Sequence, residues 1–310
     1  MIRHFINLPD VPLAELKSIL QTAHAMKRAK MAPTQVLEGL TLAMVFDKWS
    51  TRTRLSFEVG MKQLGGHTIV MRKDEMLMGT VETIGDTAKV MSRMVDAVMI
   101  RNSNHDDVEE FASYAAVPVI NAMTDRSHPC QIMADLMTIE EKKGTLDGAK
   151  VAWFGDYNNV AMTFIQAASL FGFELVLALP QVLHPKDKLP ANVSLTTDAT
   201  AAATHADVMV TDTWASMSQE AKDHSMMWPY QVNAALMAKA KKDAIFMHCL
   251  AAHRNEEVTD EVIDGPQSVV FDEAENRLHV QKAILAWSLE NAGVSIQPRL
   301  PFSMEAKRSA

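Results

Sequence analysis

The stretch TLAMVFDKWSTRTRLSFEVG, residues 41–60, decides the fold. It opens with TLAMVF, a short apolar run that reads as a buried strand. A helix-like pattern then carries the chain to Gly65 and Gly66. Between the two, Ser50, Thr51, Arg52, Thr53 and Arg54 place three hydroxyls and two guanidiniums in five residues. A strand that runs into a helix through a polar turn is the first half of a βα unit.

The same alternation continues along the chain. In the first half, strands are expected at TLAMVF (41–46), HTIVM (67–71), DAVMIR (96–101) and VPVINA (117–122). In the second half they are expected at KVAWFG (150–155), ELVLAL (174–179), VSLTTD (193–198), DVMVTD (207–212), AIFMHCL (244–250) and SVVFD (268–272). Helical patterns separate them, which predicts parallel sheets flanked by helices. The segment 129–144 begins with Pro129 and ends at Gly144, the start and stop residues of a helix. That helix is expected to leave one domain and enter the next. A last helix, 278–293, has no strand after it and fits against either domain.

The totals narrow the class. With 310 residues and 48% hydrophobic content, the chain is long enough for two α/β domains. The net charge of −8 argues against nucleic acid or an anionic membrane as partner. The basic STRTR cluster must therefore serve something small. The two cysteines, Cys130 and Cys249, make no disulfide framework and fit a reducing cytoplasm. The N-terminus MIRHFINLPD has no apolar signal core, and no run of about 18 apolar residues suggests a membrane span. The 22 methionines read as adaptable core filler.

In open α/β sheets, ligands bind beyond the carboxyl ends of strands. Polar and reactive residues collect there in both halves: STRTR, Arg101, TDRSHPCQ, DYNN, TWASMSQE, HCLAAHR and NRLH. One pocket facing both sheets explains this economically. At STRTR, the unpaired N–H groups and partial positive charge of a helix start, with hydroxyls and the Arg52 fork, make a cradle for phosphate or another oxyanion. A simple capped helix start with solvated arginines is the plainer reading. Arg54 also fits an i,i+4 ion pair with Glu58. His128 and Gln131 lie one turn apart at a helix mouth, where an imidazole and a carboxamide can hold a carbonyl and an NH2 together. His184-Pro185 lacks the glutamine and reads as a loop. Asp212 suits either a ligand amine or a helix cap. Cys249 suits a nucleophile, a polar contact or a small buried residue.

Other chemistries find no support. KVAWFGDYNN lacks G-x-G-x-x-G, no G-x-x-x-x-G-K-[ST] occurs, and His248 and His253 are five apart with no CxxC. No metal and no cofactor is expected.

The order STRTR, Arg101, HPCQ, GDYNN, DTWASM, HCL and FDEAENRLHVQKA resembles the ornithine carbamoyltransferases over most of the chain. The resemblance implies two doubly wound α/β domains. A carbamoyl-phosphate domain would span 1–139 with a returning C-terminal helix at about 285–310, and an ornithine domain would span 140–284. It also implies a homotrimer with active sites at subunit interfaces. By resemblance, Ser50, Thr51, Arg52 and Thr53 hold the phosphate, and Arg101 and His128 polarise the carbamoyl oxygen. Gln131 holds the carbamoyl NH2 with the Leu250 carbonyl, and Arg277 closes from the second domain. Asn159, Asp212, Ser216 and Met217 hold L-ornithine. Cys249 touches carbamoyl phosphate and the attacking amine, and is the assigned proton acceptor.

Four positions depart from that pattern. Leu77 stands where a Gln or His reaches into the neighbouring subunit, and Ala251 replaces the proline of HCLP, which helps present the Leu250 carbonyl. Ser218 replaces the glycine of a moving loop, and Asn255 replaces another glycine, though asparagine tolerates left-handed angles. Two other functions therefore stay in view: transfer to another amine, such as putrescine or an acylated ornithine, and a non-catalytic paralogue. Retained Asp212, Ser216 and Met217 speak against the first. Retained Arg52, Arg101, His128, Gln131 and Cys249 speak against the second.

Overall fold

The apolar run that opens the decisive stretch is strand β1 (Thr41–Phe46), buried from Leu42 onward. It has parallel partners on both sides, and helices cover the faces, so it is continuously apolar rather than alternating. The structure, a computed structural model, describes residues 2–29, 36–214 and 224–293. It divides into two units, Met1–Met133 with Arg277–Ala310, and Ala134–Asn276.

In the first unit, β1 pairs with β2 (His67–Arg72) and β3 (Ala97–Arg101), and β3 pairs with β4 (Val119–Met123). The four strands are parallel, in the order β2-β1-β3-β4. Helices α1 (Leu13–Arg28), α2 (Thr51–Gln63), α3 (Ile84–Met91) and α4 (His105–Tyr114) belong to this unit. A core of Ala43, Val45, Val98, Ile100, Phe111 and their neighbours joins the sheet to α3 and α4. β4 starts two residues later than expected, after Pro118. Proline has no N–H to donate to a ladder, and the Pro118 carbonyl still accepts from Val98 N at 2.9 Å.

Helix α5 (Pro129–Lys143) carries the chain across the divide, which falls at Met133/Ala134 within it. Gly144, at φ +82°, ends it as expected. The second unit holds β5 (Lys150–Phe154), β6 (Glu174–Ala178), β7 (Val193–Thr196), β8 (Val208–Thr211) and β9 (Ile245–Met247), all parallel, in the order β7-β6-β5-β8-β9. Its helices are α6 (Asn159–Phe171), α7 (Ala199–Ala203), α8 (Ala234–Met237) and α9 (Asp260–Ile263). Its core includes Ala152, Phe154, Met209 and Phe246.

One expected strand is absent. SVVFD makes only an isolated bridge from Ser268 to Phe246, and helix α10 (Val270–Asn291) starts inside it. Asp272 and Glu273 fall in the first turn of α10, where acids suit the positive end of the helix. A few β-branched residues do not outweigh that. The divide between units falls within α10 as well, at Asn276/Arg277. No helix among the described residues is long and apolar enough to cross a membrane.

Candidate functional site

Each sheet reverses its strand order at one place, and the candidate residues gather there. In the first unit the reversal lies between β1 and β3, whose last residues, Phe46 and Arg101, are in register. In the second it lies between β5 and β8, where Phe154 pairs with Thr211. Such switch points open a crevice at the carboxyl ends of the strands.

The first unit builds a cationic cradle. Ser50 caps α2, its hydroxyl accepting from Thr53 N at 3.2 Å. The fully buried Thr53 Oγ1 is the point of convergence. Arg101 Nη1 donates to it at 3.4 Å, Arg277 Nη2 at 2.7 Å, and Ser50 Oγ lies 3.0 Å away. His128, at the mouth of α5, is buried beside them. Burial, then the charges of Arg277, Arg101 and Arg52, hold its pKa well below the usual imidazole value. The ring is therefore neutral and can donate a hydrogen bond. Gln131 is fully buried one turn into α5. A cleft of about 890 Å³ adjoins the cap, lined in part by Lys48, Trp49, Ser50, Thr51, Arg72 and Lys73.

Arg54 is not part of this convergence. Its Nε donates to Glu58 Oε1 at 2.7 Å, the surface ion pair that the i,i+4 spacing allowed. Cys130 is also inert. It is fully buried, gives its S–H to the Asn121 carbonyl at 3.4 Å, and its pKa is pushed up to about 12 by burial. Arg277, which the resemblance has closing from the second domain, stands on the part of α10 that belongs to the first unit. Leu77 is 60% exposed, with its carbonyl taken by Thr80 N, Thr80 Oγ1 and Glu82 N. Lys73 Nζ lies 3.4 Å from Asn102 Oδ1 and 3.7 Å from Asp107 Oδ2.

The second unit builds the opposite environment. Asp212, just past β8, is buried, accepting the Cys249 S–H on Oδ1 at 3.1 Å and Asn158 Nδ2 on Oδ2 at 2.8 Å. Asn158 is held in turn as the cap of α6, accepting from Val160 N and Ala161 N. Burial first, then Asp212 and Glu273, push the Cys249 thiol well above its ordinary value. Cys249 is therefore a protonated donor. Glu273 accepts the His248 backbone N–H at 2.9 Å, and burial, then the neighbouring Asp135, raises its pKa well above the usual carboxylate value.

His248 is fully buried, and both of its ring nitrogens are occupied. Nδ1 accepts from Leu250 N at 2.9 Å, so Nε2 carries the proton and donates to Glu257 Oε1 at 3.1 Å. Leu250 sits at φ +58°, where few non-glycine residues settle, and the Leu250–Ala251 peptide is cis. Asn255 sits at φ +67°, as its replacement of a glycine required. Gly155, at φ +114°, cannot be substituted freely, since a Cβ there would lie 2.9 Å from the Trp214 indole nitrogen.

The structure thus brings Ser50, Thr53, Arg101, His128 and Arg277 together, with Arg52 near enough to act on His128. It brings Asp212 to Cys249. Asn159 is the first residue of α6, and its neighbour Asn158 donates to Asp212. Ser216, Met217 and Ser218 lie outside the described residues. Sequence reading missed Asn158, Asp135, Glu273 and the His248–Glu257 pair. Asp135 left a signal: a carboxylate between Ile132, Met133, Leu136 and Met137, on a helix too apolar to leave it in water.

Comparison with known proteins agrees with this geometry. The family described as Aspartate/ornithine carbamoyltransferase, carbamoyl-P binding domain, matches residues 3–141, and its Asp/Orn binding domain matches residues 147–288. An ornithine carbamoyltransferase of Brucella abortus is 56% identical over 305 residues, covering 94% of this chain and 97% of the relative. Among solved structures, the Pyrococcus furiosus ornithine carbamoyltransferase superposes with a TM-score of 0.88 at 49% identity, over 92% of this chain and 96% of that one. The Burkholderia thailandensis ornithine carbamoyltransferase gives 0.87 at 43%, over 94% and 99%.

Proposed function

The chain belongs to the aspartate/ornithine carbamoyltransferase family, and from that premise we propose that it transfers the carbamoyl group of carbamoyl phosphate to the δ-amine of L-ornithine. The products are L-citrulline and phosphate, a step of arginine biosynthesis. The observation that carries this reading is the opposed charge of the two sets of residues. One suits a phosphate dianion, the other an ammonium group.

The residues divide the work. Ser50, Thr51, Arg52 and Thr53 take the phosphate oxygens in place of the contacts now made at Thr53 Oγ1. Arg101 and neutral His128 donate to the carbamoyl oxygen, where negative charge grows as the amine attacks. Donors fixed in advance at that oxygen lower the barrier. Gln131 and the Leu250 carbonyl orient the carbamoyl NH2, and Arg277 adds a further cation to the phosphate.

L-Ornithine presents its amine to Asp212 and Cys249, with Asn159, Ser216 and Met217 on the rest of the amino acid. The δ-ammonium must lose a proton before it can attack, because lysine-like amines ionise near 10.4. A thiol that is already protonated can accept that proton only by passing its own to Asp212 Oδ1, 3.1 Å away. Cys249 is therefore a relay, and Asp212 the first resting place of the proton. The amine nitrogen then bonds to the carbamoyl carbon, the carbon–oxygen bond to phosphate breaks with its electron pair going to the phosphate oxygen, and the departing phosphate takes the second amine proton.

The proposal includes a homotrimer working in the cytoplasm, and exposed Trp49, Leu55, Ile69, Leu77, Val81 and Met94 on the first unit leave apolar surface for a second copy to cover. The test of the function is a citrulline-forming assay with carbamoyl phosphate and a panel of amines. L-Ornithine should exceed putrescine and N-acetylornithine in kcat/KM by at least a hundredfold. A preference for either of those, or no product from any amine, would overturn the proposal.

A further inference from the structure

Away from the Asp212–Cys249 pair, four side chains of the second unit converge without any role in carbamoyl transfer. His253 Nδ1 lies 3.9 Å from Glu256 Oε2 and 4.0 Å from Glu257 Oε2. His224 Nδ1 lies 3.9 Å from Glu256 Oε2. The donor atoms of His253, Glu256 and Glu257 all fall within 4.8 Å of one another.

Glu257 is what distinguishes this cluster from a chance meeting of surface acids. Its side chain is 0% exposed. Oε1 is taken by His248 Nε2 at 3.1 Å and by the His253 backbone N–H at 2.6 Å. Oε2 has no hydrogen-bond partner among the described residues and points toward His253 Nδ1. A buried carboxylate oxygen left without a donor is costly unless a cation completes it. His224, whose ring stands edge-on to Trp214 with 6.2 Å between centroids, presents Nδ1 to Glu256 from another part of the chain.

We propose that His253 Nδ1, Glu256 Oε2 and Glu257 Oε2, with His224 Nδ1 as fourth donor, form a site for a divalent transition-metal ion of the zinc class. Two imidazoles with two carboxylate oxygens favour zinc, cobalt or nickel over calcium and magnesium, which take oxygen ligands. Bonds of about 2.0–2.2 Å in a tetrahedron separate donors by about 3.4 Å. The recorded 3.9 and 4.0 Å need a contraction of roughly half an ångström and the triad's spread of up to 4.8 Å one of about 1.4 Å at most, taken up by rotamer adjustment in His253 and Glu256, which are 52% and 46% exposed, while His224, outside that spread and recorded only at 3.9 Å from Glu256, must swing in to complete the set. Exposure on that side gives the ion its entry, and Glu257 gives the site a fixed buried anchor. The ion would tie residue 224 to the 253–257 turn and share Glu257 with His248, the residue preceding Cys249.

The Asp212, His248 and Cys249 cluster is the competing place for a metal. It is the poorer one, because both His248 nitrogens are already engaged. The experiment is equilibrium dialysis of the full chain with Zn2+, and absorption of the Co2+-loaded protein, for the parent, His253→Ala, Glu256→Gln and Cys249→Ala. One equivalent of Zn2+ should bind the parent and Cys249→Ala alike. His253→Ala and Glu256→Gln should each weaken it at least tenfold while unfolding at the parent temperature without metal. The cobalt spectrum should show ligand-field bands without sulfur-to-cobalt charge transfer. Zn2+ affinity unchanged in both surface variants, or a single equivalent lost in Cys249→Ala with a sulfur charge-transfer band in the parent, would overturn the proposal.

Discussion

At the ends of β1 and β3, the first unit gathers Arg52, Arg101 and Arg277 around His128. At the ends of β5, β8 and β9, the second gathers Asp212, Glu273 and Asp135 around Cys249. The same architectural device, a switch point in a parallel sheet, thus carries opposite charge in the two units. Neighbouring charge adds to burial in the same sense on each side: cations lower the His128 pKa further, and acids raise those of Cys249 and Glu273 further. In all three, burial is the largest cause. The fold supplies a crevice twice, and the side chains at the strand ends decide which ligand each crevice accepts.

Removing one cation should break the comparison most severely. Arg101→Ala is expected to lower kcat/KM for carbamoyl phosphate by roughly a hundredfold or more, since each hydrogen bond to a charged group contributes about 1.5–3 kcal/mol and the transition state adds to it. Steady-state kinetics with L-ornithine saturating would show it, and a loss under tenfold would remove Arg101 from the cradle.

On the acidic side the effect should be smaller. Cys249→Ala is expected to raise the KM for L-ornithine about tenfold or slow turnover comparably, with KM for carbamoyl phosphate within twofold of the parent. The thiol gives one contact and one relay step, while Asp212 remains to hold the ammonium. Unchanged ornithine kinetics would return Cys249 to a packing role.

These two experiments probe residues that the sequence announced. STRTR, HPCQ and HCL stand at strand ends, so strand–helix alternation alone locates them. What stayed hidden were groups whose role depends on burial. Val269 and Val270 make SVVFD look like a strand, which hides that Glu273, just beyond it, stands in the first turn of α10. Asn158 and Asn159 are adjacent in DYNN, and only the capping geometry reveals that Asn158 donates to Asp212. Arg54 offered two readings, and Glu58, one turn on, decided between them. Ser216 and Met217 lie outside the described residues.

Opposite protonation gives opposite pH dependence. The lowered pKa of His128 contributes stability that is present above the ordinary histidine value of 6.5 and is lost as pH falls below it. The raised pKa of Glu273 contributes stability that is full below 4.5 and is lost as pH rises from there through its folded value. Glu273→Gln mimics the protonated acid. Its unfolding free energy relative to the parent should therefore improve by about 1 kcal/mol or more between pH 5 and pH 8, measured by urea denaturation. A difference that stays flat with pH would mean that Glu273 is ionised in the folded protein.

The smallest effect concerns the exposed Leu77. Leu77→Gln is expected to tighten carbamoyl-phosphate binding in the proposed trimer by about 1 kcal/mol, or roughly fivefold, after discounting a charged hydrogen bond for side-chain ordering. Binding measured at one salt concentration, with both proteins oligomeric, decides it. Equal or weaker binding by the Gln variant would show that this loop does not serve a neighbouring site.

The opposed charge of the two sites is tested most directly by crossing one substitution from each side. Steady-state KM and kcat for both substrates should be measured for Arg52→Ala, Asp212→Asn and the parent. The prediction is a double dissociation. Arg52→Ala should raise the KM for carbamoyl phosphate at least thirtyfold and that for L-ornithine less than threefold. Asp212→Asn should do the reverse, losing L-ornithine while keeping carbamoyl phosphate. If Asp212→Asn weakened carbamoyl phosphate as much as L-ornithine, or if Arg52→Ala left carbamoyl phosphate untouched, the assignment of one anion site and one cation site would be contradicted.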